Sequence, residues 1–138
     1  MKVVRDIMTP SVASIDQNSS AVEAAKLMQI NNVGSIPVCD ENGLLGMVTD
    51  RDIVLRTVAT NCNPSTSKVG DIMTKGVVSV SPETRLRDAA MIMSDNQIRR
   101  IPVVEGKKLV GILSLGDLST SGDCDTEVSD ALCEISKP

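Results

Sequence analysis

Val4-Arg5-Asp6-Ile7-Met8-Thr9 is repeated 65 residues later as Val69-Gly70-Asp71-Ile72-Met73-Thr74. The same offset carries Ala24-Ala25 onto Ala89-Ala90, Met28 onto Met93 and Ile36-Pro37-Val38 onto Ile101-Pro102-Val103. It also carries Gly46 onto Gly111 and Asp52 onto Asp117. Aligned without a gap, positions 4–53 and 69–118 share 17 identities. A repeat of this kind decides the fold before any local propensity does, because one short unit cannot bury its apolar face alone. The chain is two copies of one unit.

Each copy reads in the same order. A short β-rich stretch (residues 12–15 and 77–80) leads to a helix with apolar positions at helical spacing. In the first copy Ser20 and Glu23 form a candidate capping box, and Val22, Ala25, Leu27 and Met28 are expected on the buried face. In the second, Thr84 starts the helix and Leu86, Ala89, Ala90, Ile92 and Met93 face inward. A hairpin follows, turning at Asp40-Glu41-Asn42-Gly43 and at Glu105-Gly106-Lys107-Lys108. Pro37 and Pro102 donate no ladder bond, which places them at a strand start or an edge. A second helix starts at Thr49 and at Ser114. The expected fold class is α+β, with two β-α-β-β-α repeats related by a pseudo-twofold axis and packed through their sheets. Repeat 1 spans 1–60, a polar linker 61–68, repeat 2 spans 69–118, and 119–138 form a loop and an amphipathic helical tail.

Composition narrows the chemistry. With no histidine, Ser-His or Cys-His catalysis and histidine metal ligation are excluded within one chain. With no Phe, Tyr or Trp, nucleic-acid bases find no aromatic platform, and a net charge of −4 argues against phosphate-backbone binding. Cys39, Cys62, Cys124 and Cys133 are widely spaced, without a C-x-x-C, and read as reduced thiols with no metal among them. No base is available to activate any of them, so the chain is read as no enzyme. It has no apolar run of membrane length and no signal-peptide stretch, which points to a cytoplasmic protein without a membrane partner.

Two constellations carry candidate function. Gly46-Met47-Val48-Thr49-Asp50-Arg51-Asp52 is mirrored by Gly111-Ile112-Leu113-Ser114-Leu115-Gly116-Asp117. Ser/Thr-x-x-Asp at a strand end is the pattern of a helix capping box. The same junction suits a phosphate, its carboxylate suits two ribose hydroxyls, and the preceding glycine would let a ligand approach the backbone. The second constellation is Arg99-Arg100 before Ile101-Pro102-Val103. It is either a solvated charge pair or a bidentate phosphate contact. Gly34 and Ser35 stand at the matching positions, so the two copies are unequal.

The paired Asp-Ile-Met-Thr, Ile-Pro-Val and Gly-x-x-Thr/Ser-x-x-Asp segments closely resemble cystathionine β-synthase (CBS) domains, two of which form a Bateman module. Over residues 1–118 the chain resembles small stand-alone bacterial CBS-pair proteins. These are often labelled as related to inosine monophosphate dehydrogenase, an enzyme that carries an inserted pair, but no catalytic barrel is expected here. The resemblance implies a regulatory, energy-sensing homodimer that binds AMP, ADP or ATP, or else S-adenosylmethionine or an NAD-type ligand, between its repeats. A stronger site would use Ser14, Ile36, Pro37, Thr49, Arg51, Asp52, Arg99 and Arg100, with Asp52 on the ribose and the arginines on phosphate. A weaker one would use Ser79, Ile101, Pro102, Ser114 and Asp117. Met28, Met91 and Met93 are expected to supply apolar dimer surface. The competing reading is an adaptor with empty clefts, in which Thr49 and Asp52 merely cap a helix.

Overall fold

The computed structural model describes residues 2–120. Apart from Ser119 and Thr120, the expected loop and helical tail at 119–138 lie outside the described residues, as do Cys124 and Cys133. In chain order the elements are α1 (Val4–Ile7), β1 (Thr9–Pro10), β2 (Ile15–Asp16), α2 (Ala21–Asn31), β3 (Ser35–Asp40), β4 (Gly43–Thr49) and α3 (Asp50–Ile53). A π-helical turn, Val54–Val58, extends α3. Then come α4 (Val69–Ile72), β5 (Thr74–Lys75), α5 (Leu86–Asn96), β6 (Arg100–Glu105), β7 (Lys108–Ser114) and α6 (Leu115–Ser119). The fold class is α+β, with one sheet in each of two compact units. No helix among the described residues is long and apolar enough to cross a membrane.

The first unit is Ala13–Val77. Its sheet has the order β2-β3-β4-β5, with β2 parallel to β3 and the other pairs antiparallel. Pro37 faces Met47 on β4, while β2 joins β3 only from Val38 onward, so the proline sits where its missing N–H has no ladder partner to serve. Helix α2 begins at Ala21 because Ser20 is extended and its hydroxyl accepts from the Glu23 amide at 3.1 Å. The linker completes that end, with the Ala21 amide donating to Ser67 O at 2.9 Å and the Val22 amide to Pro64 O at 3.3 Å. Asn32 in the left-handed conformation ends the helix.

The buried stripe of α2 is Ala21, Ala24 and Met28, with Val22 and Leu27 half-buried. Ala25, expected inside, is exposed. Apolar residues at 21, 22, 24, 25, 27, 28 and 30 fit more than one helical phase, and packing against Ile36, Val38, Val48 and Val69 selects this one. Met28 belongs to the core, and so does Met93, with no exposed surface at all. Of the three methionines expected at a dimer surface, only Met91 is exposed.

The second unit joins residues 2–12 to 78–120. Its sheet has the order β1-β7-β6, and Val80 bridges Val103 in parallel at the place β2 holds in the first unit. Helix α5 starts at Leu86, two residues after Thr84, and buries Leu86, Ala89, Ala90 and Met93 with Ile92 packed alongside. Ile101, Val103, Leu113 and Leu118 complete this core.

The two copies of the Asp-Ile-Met-Thr segment are exchanged between the units. Val4 lies in the core of the second unit and Val69 in that of the first, each with no exposed surface. The backbone contacts correspond one for one. Val4 and Arg5 amides donate to Thr84 O (2.8 Å) and Pro82 O (2.9 Å), and Val69 and Gly70 amides to Ser19 O and Gln17 O (2.8 Å each). After that anchor β1 pairs with β7 and β5 with β4.

Candidate functional site

Two strand-to-helix junctions, one in each unit, hold the acidic residues that the repeat singles out. β4 ends at Thr49, still extended at φ −115° and ψ 162°, and α3 starts at the next residue. The Thr49 hydroxyl accepts from the Asp52 amide at 3.0 Å, and Asp52 Oδ2 accepts from the Thr49 amide at 3.0 Å. Ser114 and Asp117 repeat the arrangement at 3.1 and 2.9 Å. Both capping boxes are made.

Capping uses little of Asp52. Its Oδ1 has the Thr74 hydroxyl at 3.5 Å and Arg56 Nε at 4.0 Å, distances at which neither is a strong partner. The side chain is 12% exposed, so the carboxylate as a whole is largely shielded from solvent. A carboxylate has about four lone-pair sites, and one backbone N–H leaves room for two hydroxyls. Capping and ligand recognition are compatible at one residue.

The glycine ahead of each junction serves a different purpose from the one expected. A Cβ on Gly46 would run into the Thr74 carbonyl oxygen, and one on Gly111 would lie 2.9 Å from Thr9 O and 2.7 Å from Met8 Sδ. The absent side chain admits the exchanged strand, whose backbone fills the space a ligand was expected to approach.

In the first unit, Ser14 is exposed, and Ile36 and Pro37 are buried. Arg51 is exposed, its amide held by Asp50 Oδ1 at 2.8 Å. Arg99 and Arg100 are exposed in the second unit, where Arg99 O accepts from the Leu115 amide at 2.8 Å. There Ser79, Ser114 and Asp117 are half-buried, and Ile101 and Pro102 buried. Two residues close to Asp52 escaped the sequence reading, Thr74 and Arg56. Thr74 closes the second Asp-Ile-Met-Thr copy, as Thr9 closes the first, and was legible only as a repeat marker. Arg56 has no counterpart, since Ser121 stands at the matching position.

Burial pushes the Cys39 thiol up, and the charge of Asp40 adds to it, against a partial offset from the Ser14 hydroxyl. Cys62 is exposed beside Thr60. Iodoacetamide at mildly alkaline pH is therefore expected to label Cys62 well before Cys39, as read by peptide mapping over time. Equal rates would show that the Cys39 strand opens freely. Because the folded state holds the Cys39 proton more tightly, its contribution to stability falls as pH rises through the ordinary thiol range. Among the described residues no three His, Cys, Asp or Glu side chains cluster to hold a metal ion.

The family model for the CBS domain matches twice, at residues 4–58 and 69–121. The chain belongs to the CBS-domain family. This CBS pair is 43% identical over 136 residues to "CBS domain-containing protein YhcV" of Bacillus subtilis, covering 99% of this chain and 96% of that one. The crystal structure of CBSX2 in complex with AMP matches it with a TM-score of 0.76 at 31% identity, covering 88% and 96% of the two chains. The CBS domain pair of protein MJ0100, in complex with 5-methylthioadenosine and S-adenosyl-L-methionine, matches with a TM-score of 0.74 at 29% identity, covering 86% and 94%. CBS pairs are non-catalytic regulatory modules, and some of this pair's structural relatives bind adenosine compounds.

Proposed function

We propose that this CBS pair is a cytoplasmic sensor that binds an adenosine nucleotide of the AMP, ADP or ATP type and signals occupancy by a change of conformation. The observation that carries the reading is Asp52. It is a shielded carboxylate in the first turn of α3 whose Oδ1 lacks a strong partner, set in a fold that holds AMP in one relative and S-adenosylmethionine in another. Asp52 takes the ribose hydroxyls, with Thr49 beside it. Arg99 and Arg100 are the phosphate-reading residues of this proposal, and Asp117 with Ser114 serves a second, weaker site without a matching cation. Ligand binding drives the conformational change only through unequal affinity for two states. Homodimerisation would cover the exposed apolar side chains of Ile30, Val54, Leu55 and Val58.

The absence of Trp and Tyr leaves the protein nearly silent at 280 nm, so co-purifying nucleotide shows directly at 260 nm. The expected result is an adenosine compound, released on denaturation in near-stoichiometric amount and identified by mass. Failing that, saturable heat on titrating AMP, ATP or S-adenosylmethionine carries the same meaning. A blank spectrum with no heat from any of the three would overturn the proposal. The adaptor reading, in which the two capping boxes are the whole role of Thr49, Asp52, Ser114 and Asp117, would then stand in its place.

A further inference from the structure

Arg56 touches three things that the proposed site needs held together. Its Nη1 donates to Ile72 O at 3.1 Å and Met73 O at 3.2 Å, the carbonyls that end α4. Those carbonyls have no partner inside so short a helix, and an arginine is well shaped to take two of them at once. Its Nε stands 4.0 Å from Asp52 Oδ1. The next residue along the chain, Thr74, places its hydroxyl 3.5 Å from both oxygens of the same carboxylate. One half-exposed side chain therefore grips the backbone of the exchanged segment and stands near Asp52, as Thr74 of that segment also does. The segment then leaves the first unit at Val77 and enters the second at residue 78.

We infer that Arg56 is a positioning residue for Asp52. By holding the Ile72 and Met73 carbonyls it keeps Thr74 beside the carboxylate, and it sets a positive charge 4.0 Å from Asp52 Oδ1, the oxygen offered to a ribose hydroxyl. A ligand hydroxyl on Oδ1 then meets a carboxylate whose neighbours Thr74 and Arg56 are already in place. The inference rests on the proposed nucleotide reading. It is confined to the first repeat, because Ser121 at the matching position offers no cation.

The test is a double-mutant cycle of Arg56→Gln and Asp52→Asn, with AMP, ATP and S-adenosylmethionine each titrated by calorimetry and thermal unfolding recorded in parallel. Arg56→Gln is expected to weaken the compound that binds wild type by about tenfold. In the Asp52→Asn background the same change is expected to cost nothing further, and Arg56→Lys should restore part of the affinity in the wild-type background. A structural role alone would lower the unfolding temperature and weaken binding equally in both backgrounds, which overturns the inference. So does unchanged affinity in Arg56→Gln. If wild type binds none of the three compounds, the nucleotide proposal and this one fail together, an outcome distinct from binding with additive losses.

Discussion

Gly46→Ala is expected to destabilise the first unit by about 2–3 kcal/mol. The added Cβ falls on the carbonyl oxygen of Thr74, and backbone cannot swing aside as a side chain can. β4 and β5 are paired through Gly46↔Lys75 and Met47↔Thr74, so relief of the clash comes by separating the two strands. Ile72 and Met73 leave the core when β5 moves, and the cost rises with the apolar area they expose. Gly111→Ala is the internal control. Its nearest obstacle is the Met8 thioether, the far end of a flexible side chain, with Thr9 O at 2.9 Å behind it. About 1 kcal/mol is expected there. Urea unfolding of the two variants measures the difference directly, and equal losses would contradict the role given to the Thr74 carbonyl. Because Thr74 also faces Asp52, Gly46→Ala should weaken nucleotide binding as well, and Gly111→Ala should leave that site unaffected.

Asp52 separates its two roles by the kind of substitution made. Asp52→Asn keeps an oxygen that can accept from the Thr49 amide, and stability is expected to change by less than about 0.5 kcal/mol. It removes the charge, and AMP affinity should fall about 10- to 100-fold, as befits hydrogen bonds to an ionised acceptor. Asp52→Ala loses both functions, with about 1 kcal/mol of cap stability gone in addition. The same pair of changes at Asp117 should show the capping cost with a smaller effect on AMP. If Asp52→Asn binds AMP as tightly as wild type, the carboxylate is a cap and nothing more, and the ribose assignment is wrong.

Much of the fold was legible because the repeat states every element twice. Ser20, Thr49 and Ser114 each start a helix as their hydroxyls require; Asp52 and Asp117 close the boxes the spacing names, whereas the box expected of Ser20 and Glu23 is only half made, the hydroxyl accepting from the Glu23 amide without the reciprocal contact. The phase of α2 was not legible, since alanines on two faces leave the buried stripe to be chosen by the sheet it meets. Arg56 and Thr74 were invisible as site residues for a related reason. Their distance from Asp52, four positions and 22, has meaning only once β5 lies against β4.

The sequence by itself determined that there are two units, the order of the long helix and hairpin in each, and that the acidic pair Asp52 and Asp117 closes two equivalent strand ends. Only the tertiary structure decided which copy of Asp-Ile-Met-Thr serves which unit. The two copies are nearly identical, so local chemistry cannot choose between them. The choice comes from chain continuity: residues 61–68 turn back across the N-terminus of α2 through Pro64 and Ser67, and deliver Val69 to Ser19 and β5 to the open edge of β4. The edge of β7 is then completed by the copy that begins the chain, Val4 to Pro10, because an unpaired strand edge beside a buried core is costly to leave open.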